Sequence, residues 1–328
     1  MPDKMKILKV LYVGIGLALL TLVVAEVDVG VVLEHAVAVG SGMLVLLGLY
    51  FAAFVIDSFT WQMALIEVPL SPLWLYRTWK VRMVGEVFNN VMPAASMGGE
   101  PVKAVLMKRH YDIGYREGTA SLILGKSINM IGLVIFLGLG FWLMLGSTQL
   151  PVAYKSIAGT GLAALSLGTF LFVVVQRLKL TSLTGTWISR WPFAARLESV
   201  LHHIHDMDER LVAFYTRYKA RLVWAVLLAF LNWIIGVVEI YYMMIFLGNP
   251  MSWQDAWIIE AAVQLVRAGV FFIPAAIGAQ EGVFLLIIGA MTGSPGLGAS
   301  VAVVRRFREV LWLLWGTLLG AMFSLRRE

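Results

Sequence analysis

An all-α, polytopic integral membrane protein is the fold class this chain predicts, and three observations predict it. The 328 residues are 60% hydrophobic and only 14% charged, with a mean hydropathy of +0.83; a soluble domain of this size would be about a quarter charged. Several windows approach or exceed the roughly 20 apolar residues that cross about 30 Å of hydrocarbon. Finally, two long apolar stretches are broken by near-copies of one motif. Pro93 opens PAASMGGE and Pro274 opens PAAIGAQE, each placing a carboxylate (Glu100, Glu281) seven residues after its proline. The echo continues from Ala120-Ser121 to Lys126 and from Ala299-Ser300 to Arg305, with six residues from alanine to cation in both cases. Repeats of broken apolar segments carrying buried charge are the signature of membrane transporters with a central site.

The elements follow in order. Ile7–Ala25 is the first expected span; Lys4, Lys6 and Lys9 precede it, and Glu26-Val27-Asp28 offers no small-residue cleavage site, so it reads as a helix and not as a secretion signal. Glu26, Asp28 and Glu34 make an acidic loop, and Ala36–Ile56 is the returning span. A Trp- and Tyr-rich stretch with Arg77, Lys80 and Arg82 suits the headgroup level. Thr78–Met92 is too short to cross. After the first break, Pro101–Lys108 forms another short helix, with Pro101 in its first turn, and ends in Lys108-Arg109-His110. This pair reads as a re-entrant hairpin, whose non-helical backbone must be buried in protein or line a wet cavity.

Gly118–Leu145 and Ile157–Val175 are the third and fourth spans, and 176–221 is a polar segment lying on the membrane surface, with Trp187, Trp191 and Phe193 near its start. Leu222–Leu247 leaves the cytoplasm and Gly248-Asn249-Pro250 turns the chain. Trp253–Ile273 leads into the second break, Ala279–Met291 leads out, and Leu297–Leu325 crosses back to Arg326-Arg327. Lys155 is the one basic residue on the external side in this scheme, which places both termini in the cytoplasm. The second hairpin then enters from outside. The expected architecture is thus one transmembrane domain over 1–328, with halves of about 1–155 and 156–328 as inverted pseudo-repeats holding two inverted re-entrant hairpins.

Composition also narrows the chemistry. Without cysteine there is no disulfide, thiolate nucleophile or Cys-ligated metal. The net charge of +6 marks cytoplasmic loops and not nucleic-acid binding. His202-His203-Ile204-His205-Asp206 has no further ligand set for a closed metal site and reads as a solvated helix face. Neither a P-loop nor a GxSxG or HExxH motif is present, so no catalytic role and no cofactor is expected.

What stands out is charge at membrane depth, costing about 2.5–3.5 kcal/mol at a helix centre on insertion scales. Lys126 lies eight residues into its span, roughly 12 Å deep at 1.5 Å per residue, and Arg305 lies equally deep from the other face. Asn129 sits one turn beyond Lys126; Arg308 and Glu309 sit one turn beyond Arg305 and Arg306. Glu260, Gln264 and Arg267 form one polar stripe, and Asn232, Gly236 and Glu239 another. Two readings are open for these groups: ion pairs that join helices, or an excess of buried cations awaiting an anionic ligand. On the second reading, half-helix N-termini at the breaks supply further N–H donors to a lipid phosphate. The candidate lipid-binding set is Asn89, Asn90, Pro93, Glu100, Lys103, Lys126, Asn129, Glu239, Arg267, Pro274, Gln280, Glu281, Arg305, Arg306, Arg308 and Glu309.

NNVMPAASMGGEPVKAVLM (Asn89–Met107), followed by its basic cluster, resembles the first half of the lysylphosphatidylglycerol synthase transmembrane region. FFIPAAIGAQEGVFLL with ASVAVVRRFRE and a closing apolar helix resembles the second half, and GAQEG and VVRRFRE also look like the hopanoid-biosynthesis-associated branch. The resemblance implies a polytopic helical fold with re-entrant segments that moves a lipid, such as an aminoacyl-phosphatidylglycerol, a hopanoid or a polyprenyl-linked lipid, between leaflets of the cytoplasmic membrane. It implies the stand-alone form, whose lipid-synthesising enzyme is encoded separately; a homo-oligomer is compatible with it. Where the family commonly carries Glu-Arg-x-x-Asp, this chain has Gly125, Lys126 and Asn129. A membrane-embedded transferase for a lipid-linked substrate and a non-transporting partner of a lipid-modifying enzyme are the alternatives.

Overall fold

The structure is a computed structural model describing residues 39–91, 98–178 and 209–325. The first expected span, the Pro93 end of the first break, the His202–Asp206 run and Arg326-Arg327 lie outside the described residues. Every regular element among those described is a helix: α1 (Gly42–Ala64), α2 (Pro72–Val91), α3 (Glu100–Tyr111), α4 (Tyr115–Gly146), α5 (Val152–Arg177), α6 (Lys219–Phe246), α7 (Trp253–Gly269), α8 (Ala279–Thr292) and α9 (Pro295–Leu325), with a short 3₁₀ turn over Pro274–Ala276 and a helical stretch over 209–217. α1, α4, α5 and α6 are each long and apolar enough to span a bilayer.

The surface is turned inside out relative to a water-soluble bundle. Phe170, Leu167, Trp142 and Leu318 are exposed, whereas Asp57, Glu239, Glu260, Arg305, Arg306 and Arg308 are buried. α5 shows the inversion most plainly: its only buried residues are Thr169 and Gln176. Hydrocarbon as the surrounding solvent accounts for this, because lipid rewards apolar exposure while unpaired polar groups must turn inward.

The main core joins α4, α6, α7, α8 and α9 through Phe136, Ile240, Met243, Val263, Phe284 and Val301. α1 lies along α6 and, through Tyr50, Phe54, Trp79 and Trp312, against α2 and α9. α2 in turn packs on α3, α9 and the 3₁₀ turn, so both short helical pairs touch the same central region. Backbone contacts there are close. A Cβ on Gly99 would lie 2.0 Å from the Gly85 carbonyl oxygen, and one on Gly85 would lie 2.5 Å from Lys103 Cε. These glycines let the start of α3 lie flat on α2 and leave a slot for the buried lysine.

Element boundaries differ from expectation at several places; α2 begins six residues before Thr78 and α5 five before Ile157. The returning span was expected over Ala36–Ile56, yet α1 continues to Ala64 and buries Asp57, Ser58, Thr60 and Gln62. Those polar residues mimic a helix end, but find partners: Ser58 and Thr60 donate to the Phe54 and Ile56 carbonyls one turn back in α1, and Gln62 donates to the Pro69 and Ser71 carbonyls beyond it. The polar segment expected over 176–221 is described only at its two ends. Residues 179–208 lie outside the described residues, but Leu211 and Phe214 are core residues, and Arg210 bridges Glu67 at 2.5 Å and Glu117 at 2.8 Å. The end of that segment is therefore docked on α1 and α4.

Gly99→Ala should lower the thermal midpoint of the purified protein, because overpacking against backbone costs about 1–3 kcal/mol. Gly138→Ala, where an added Cβ meets nothing within 4 Å inside α4, should leave that midpoint unchanged or raise it. The pair of melting curves in one detergent checks both.

Candidate functional site

Two clusters of charge sit on the elements flanking the breaks. In the first, Asp57 of α1 forms an ion pair with Arg82 of α2 and accepts a 2.7 Å hydrogen bond from Asn129 of α4. Glu100, the first residue of α3, pairs with Lys103 at 2.9 Å and with Lys126 of α4 at 3.5 Å. Glu86 accepts bonds from Asn89 (3.3 Å) and Asn90 (3.2 Å), and Asn89 accepts one from the Gly99 N–H at 2.8 Å. The side chain of Asn89 thereby holds the chain just after the break.

The second cluster is denser. Arg305 of α9 makes a two-pronged pair with Glu260 of α7, at 2.6 and 2.8 Å, and Gln264 donates to the same carboxylate at 2.6 Å. Gly236 of α6 faces that carboxylate: an added Cβ would lie 2.6 Å from its Oε1. Arg308 pairs with Glu239 of α6 and lies over the Tyr50 ring, 3.8 Å from its centroid. Arg306 pairs with Glu281 of α8 and with Glu309 at 2.9 Å, and donates to the Ala275 carbonyl at 3.3 Å. Arg267 donates through Nη1 to Gln280 at 2.7 Å and to Glu309 at 3.4 Å.

The expected excess of buried cations is therefore overturned. Arg82, Lys103 and Lys126 stand with Asp57, Glu86 and Glu100 in the first cluster. Arg267, Arg305, Arg306 and Arg308 stand with Glu239, Glu260, Glu281 and Glu309 in the second. Counting neighbours along the sequence failed because the balancing acids come from other helices. Arg305 and Arg308 in particular are buried in ion pairs with Glu260 and Glu239, at 3% and 2% exposure. Asp57, Arg82 and Glu86 were absent from the candidate set. Arg82 hid in a stretch that reads as interfacial, and Asp57 beyond what reads as a helix end. The family's missing acids are likewise compensated here, since Lys126 and Asn129 find Glu100 and Asp57.

At the second break, Ala275 and Ala276 have φ of 51° and 49°, and Gly278 has φ of 78°. Left-handed alanines cost roughly 1–2 kcal/mol each. The Glu281 carboxylate accepts from the Gly278 N–H at 2.8 Å, and Arg306 holds both Glu281 and the Ala275 carbonyl, so the strained turn is pinned from α9. Between this turn and the C-terminal part of α2 lies a cavity of about 200 Å³, lined by Glu86, Asn89, Asn90, Trp233, Gln264 and Arg267. Of the candidate residues, Asn89, Asn90 and Arg267 reach it; Arg305 does not. Pro93 lies outside the described residues.

Removing one member of a buried pair costs roughly 3–5 kcal/mol, whereas replacing both by apolar residues is often neutral. Arg305→Leu or Glu260→Leu alone should therefore abolish the monodisperse elution of the protein from a sizing column. The double substitution should restore it.

The sequence matches the family described as the lysylphosphatidylglycerol synthase TM region over residues 7–316. Among curated relatives, a UPF0104 membrane protein of Methanothermobacter thermautotrophicus is 22% identical over 256 residues, spanning 71% of this chain and 70% of its own. A UPF0104 membrane protein of Pyrococcus horikoshii is 25% identical over 256 residues, spanning 75% of each chain. No solved structure gives a significant match. A match over nearly the whole chain, on a helical bundle that exposes its apolar residues and buries its charges, makes this chain a member of the lysylphosphatidylglycerol synthase transmembrane-region family of membrane proteins.

Proposed function

We propose that this protein moves a lipid between the leaflets of the cytoplasmic membrane, with the headgroup passing through the cavity between α2 and the second break while the tails stay in lipid. The observation that carries the reading is the cavity itself: amides, a carboxylate and a guanidinium converge on it beside a broken, strained backbone. Irregular backbone at membrane depth is tolerated where it lines a cavity or is buried in protein, and transporters place their substrates at such breaks.

Two further observations support it. α2, α3 and α4, of 20, 12 and 32 residues, are matched in order by α7, α8 and α9, of 17, 14 and 31. In each set a short helix follows a break, and the long helix carries a cation, half-buried Lys126 or buried Arg305, in its third or fourth turn. We read these sets as inverted re-entrant hairpins, each with its long helix, entering from the cytoplasmic and the outer face respectively, with both termini cytoplasmic. The carboxylates of both clusters are engaged by cations or amides, which favours transport over acid–base catalysis. A lipid-synthesising enzyme would supply the substrate.

Reconstituted vesicles bearing a fluorescent phospholipid test the reading. Wild-type protein should expose inner-leaflet label to an external quencher, and Asn90→Ala and Glu86→Gln should slow this at least tenfold while eluting as folded protein. Wild-type vesicles no faster than protein-free ones would refute it. The inverted arrangement has its own check. The chain has no cysteine, so Ser96→Cys (in the stretch joining α2 to α3) and Ala279→Cys are single reporters. An impermeant thiol reagent outside intact cells should label position 279 far faster than 96, with the order reversed in inside-out vesicles.

A further inference from the structure

We propose that the cavity between α2 and the second break selects a neutral, hydroxyl-rich headgroup, a single sugar on a lipid, over an anionic one. This rests on the headgroup reading of the cavity above. Three observations lead to it.

The first is charge. With the cations and carboxylates around the cavity matched one for one, a headgroup bearing a net charge would enter unbalanced at low dielectric. The cavity wall itself carries one carboxylate, Glu86, and one guanidinium, Arg267.

The second is unspent hydrogen-bonding capacity. Arg267 uses only Nη1 toward protein among the described residues, leaving Nε and Nη2 of its fork to a ligand. Trp233 lines the same cavity. Asn90, Gln264 and Glu86 add amide donors and acceptors around it. Donors and acceptors of both kinds beside an indole ring suit hydroxyls, each of which donates and accepts, and the apolar face of a pyranose suits the ring.

The third is size. About 200 Å³ is below the roughly 300–1,000 Å³ of sites that enclose a drug-sized ligand, so the space fits one compact head and excludes the tails.

Purified protein in phosphatidylcholine nanodiscs, titrated with monoglucosyldiacylglycerol carrying a fluorophore on its acyl chain, tests the inference. Unlabelled phosphatidylglycerol and free glucose serve as competitors. The glucosyl-lipid should stay bound against a tenfold excess of phosphatidylglycerol. Asn90→Ala, which removes an amide from the cavity wall, and Arg267→Lys, which keeps the charge but removes the fork, should each weaken binding about tenfold with unchanged melting. Preference for phosphatidylglycerol, or equal binding by wild type and both variants, would overturn the proposal. Displacement by free glucose at the concentrations of the lipid itself would overturn the lipid as source of the sugar. Transport is scored separately: glucosyl-lipid binding without leaflet exchange would refute the flippase alone, and exchange of phosphatidylglycerol without glucosyl-lipid binding would refute the sugar alone.

Discussion

Charge pairing between helices distant in sequence is the constraint on which this structure depends. A guanidinium in a hydrocarbon-facing bundle has no water to fall back on, so its partner must arrive with the fold. Arg305 finds Glu260 across 45 residues, Arg308 finds Glu239 and Arg306 finds Glu281, so α9 alone is tied to α6, α7 and α8. Arg82, Asp57 and Asn129 do the same for α1, α2 and α4. The apolar contacts supply little direction in lipid, because leucine is as content against an acyl chain as against another leucine. Geometry is therefore set by the ion pairs, and the glycines at 85 and 236 are the spaces that admit them.

How much of this could be read in the sequence follows from the same physics. Spans such as α4 and α6 were legible within a few residues because an apolar window is a local property. The second break was legible too, since proline and glycine interrupt a helix. α1 was misjudged at its C-terminal end because Asp57 and Gln62 look like an exit from the membrane unless Arg82, Asn129 and the Pro69 and Ser71 carbonyls are known to be there. Of the candidate cations, Lys103, Arg305, Arg306 and Arg308 are buried, while Lys126 and Arg267 keep 31% of their side chains exposed. Their pairing was not legible, for a sequence lists charges by position along the chain while the fold matches them across space. Trp233 was lost among twelve tryptophans, and only its place on the cavity wall sets it apart.

The second break shows how such a site is held ready. Two left-handed alanines would relax if free to do so. Arg306 prevents it by gripping the Ala275 carbonyl and the Glu281 carboxylate from α9, while Glu281 in turn caps Gly278. The strain is local; the restraint is tertiary. The cavity wall formed by Ala275 and Ala276 is accordingly as rigid as the α8–α9 packing that supports it.

Matched charge has an electrical consequence. Carrying one elementary charge through a potential of 100 mV is worth about 2.3 kcal/mol. A rigid displacement of either cluster carries equal numbers of cations and carboxylates, and so couples to that field only through small dipoles. Such a displacement would be nearly voltage-silent: equally easy in an energised and a de-energised cell, and producing no gating current.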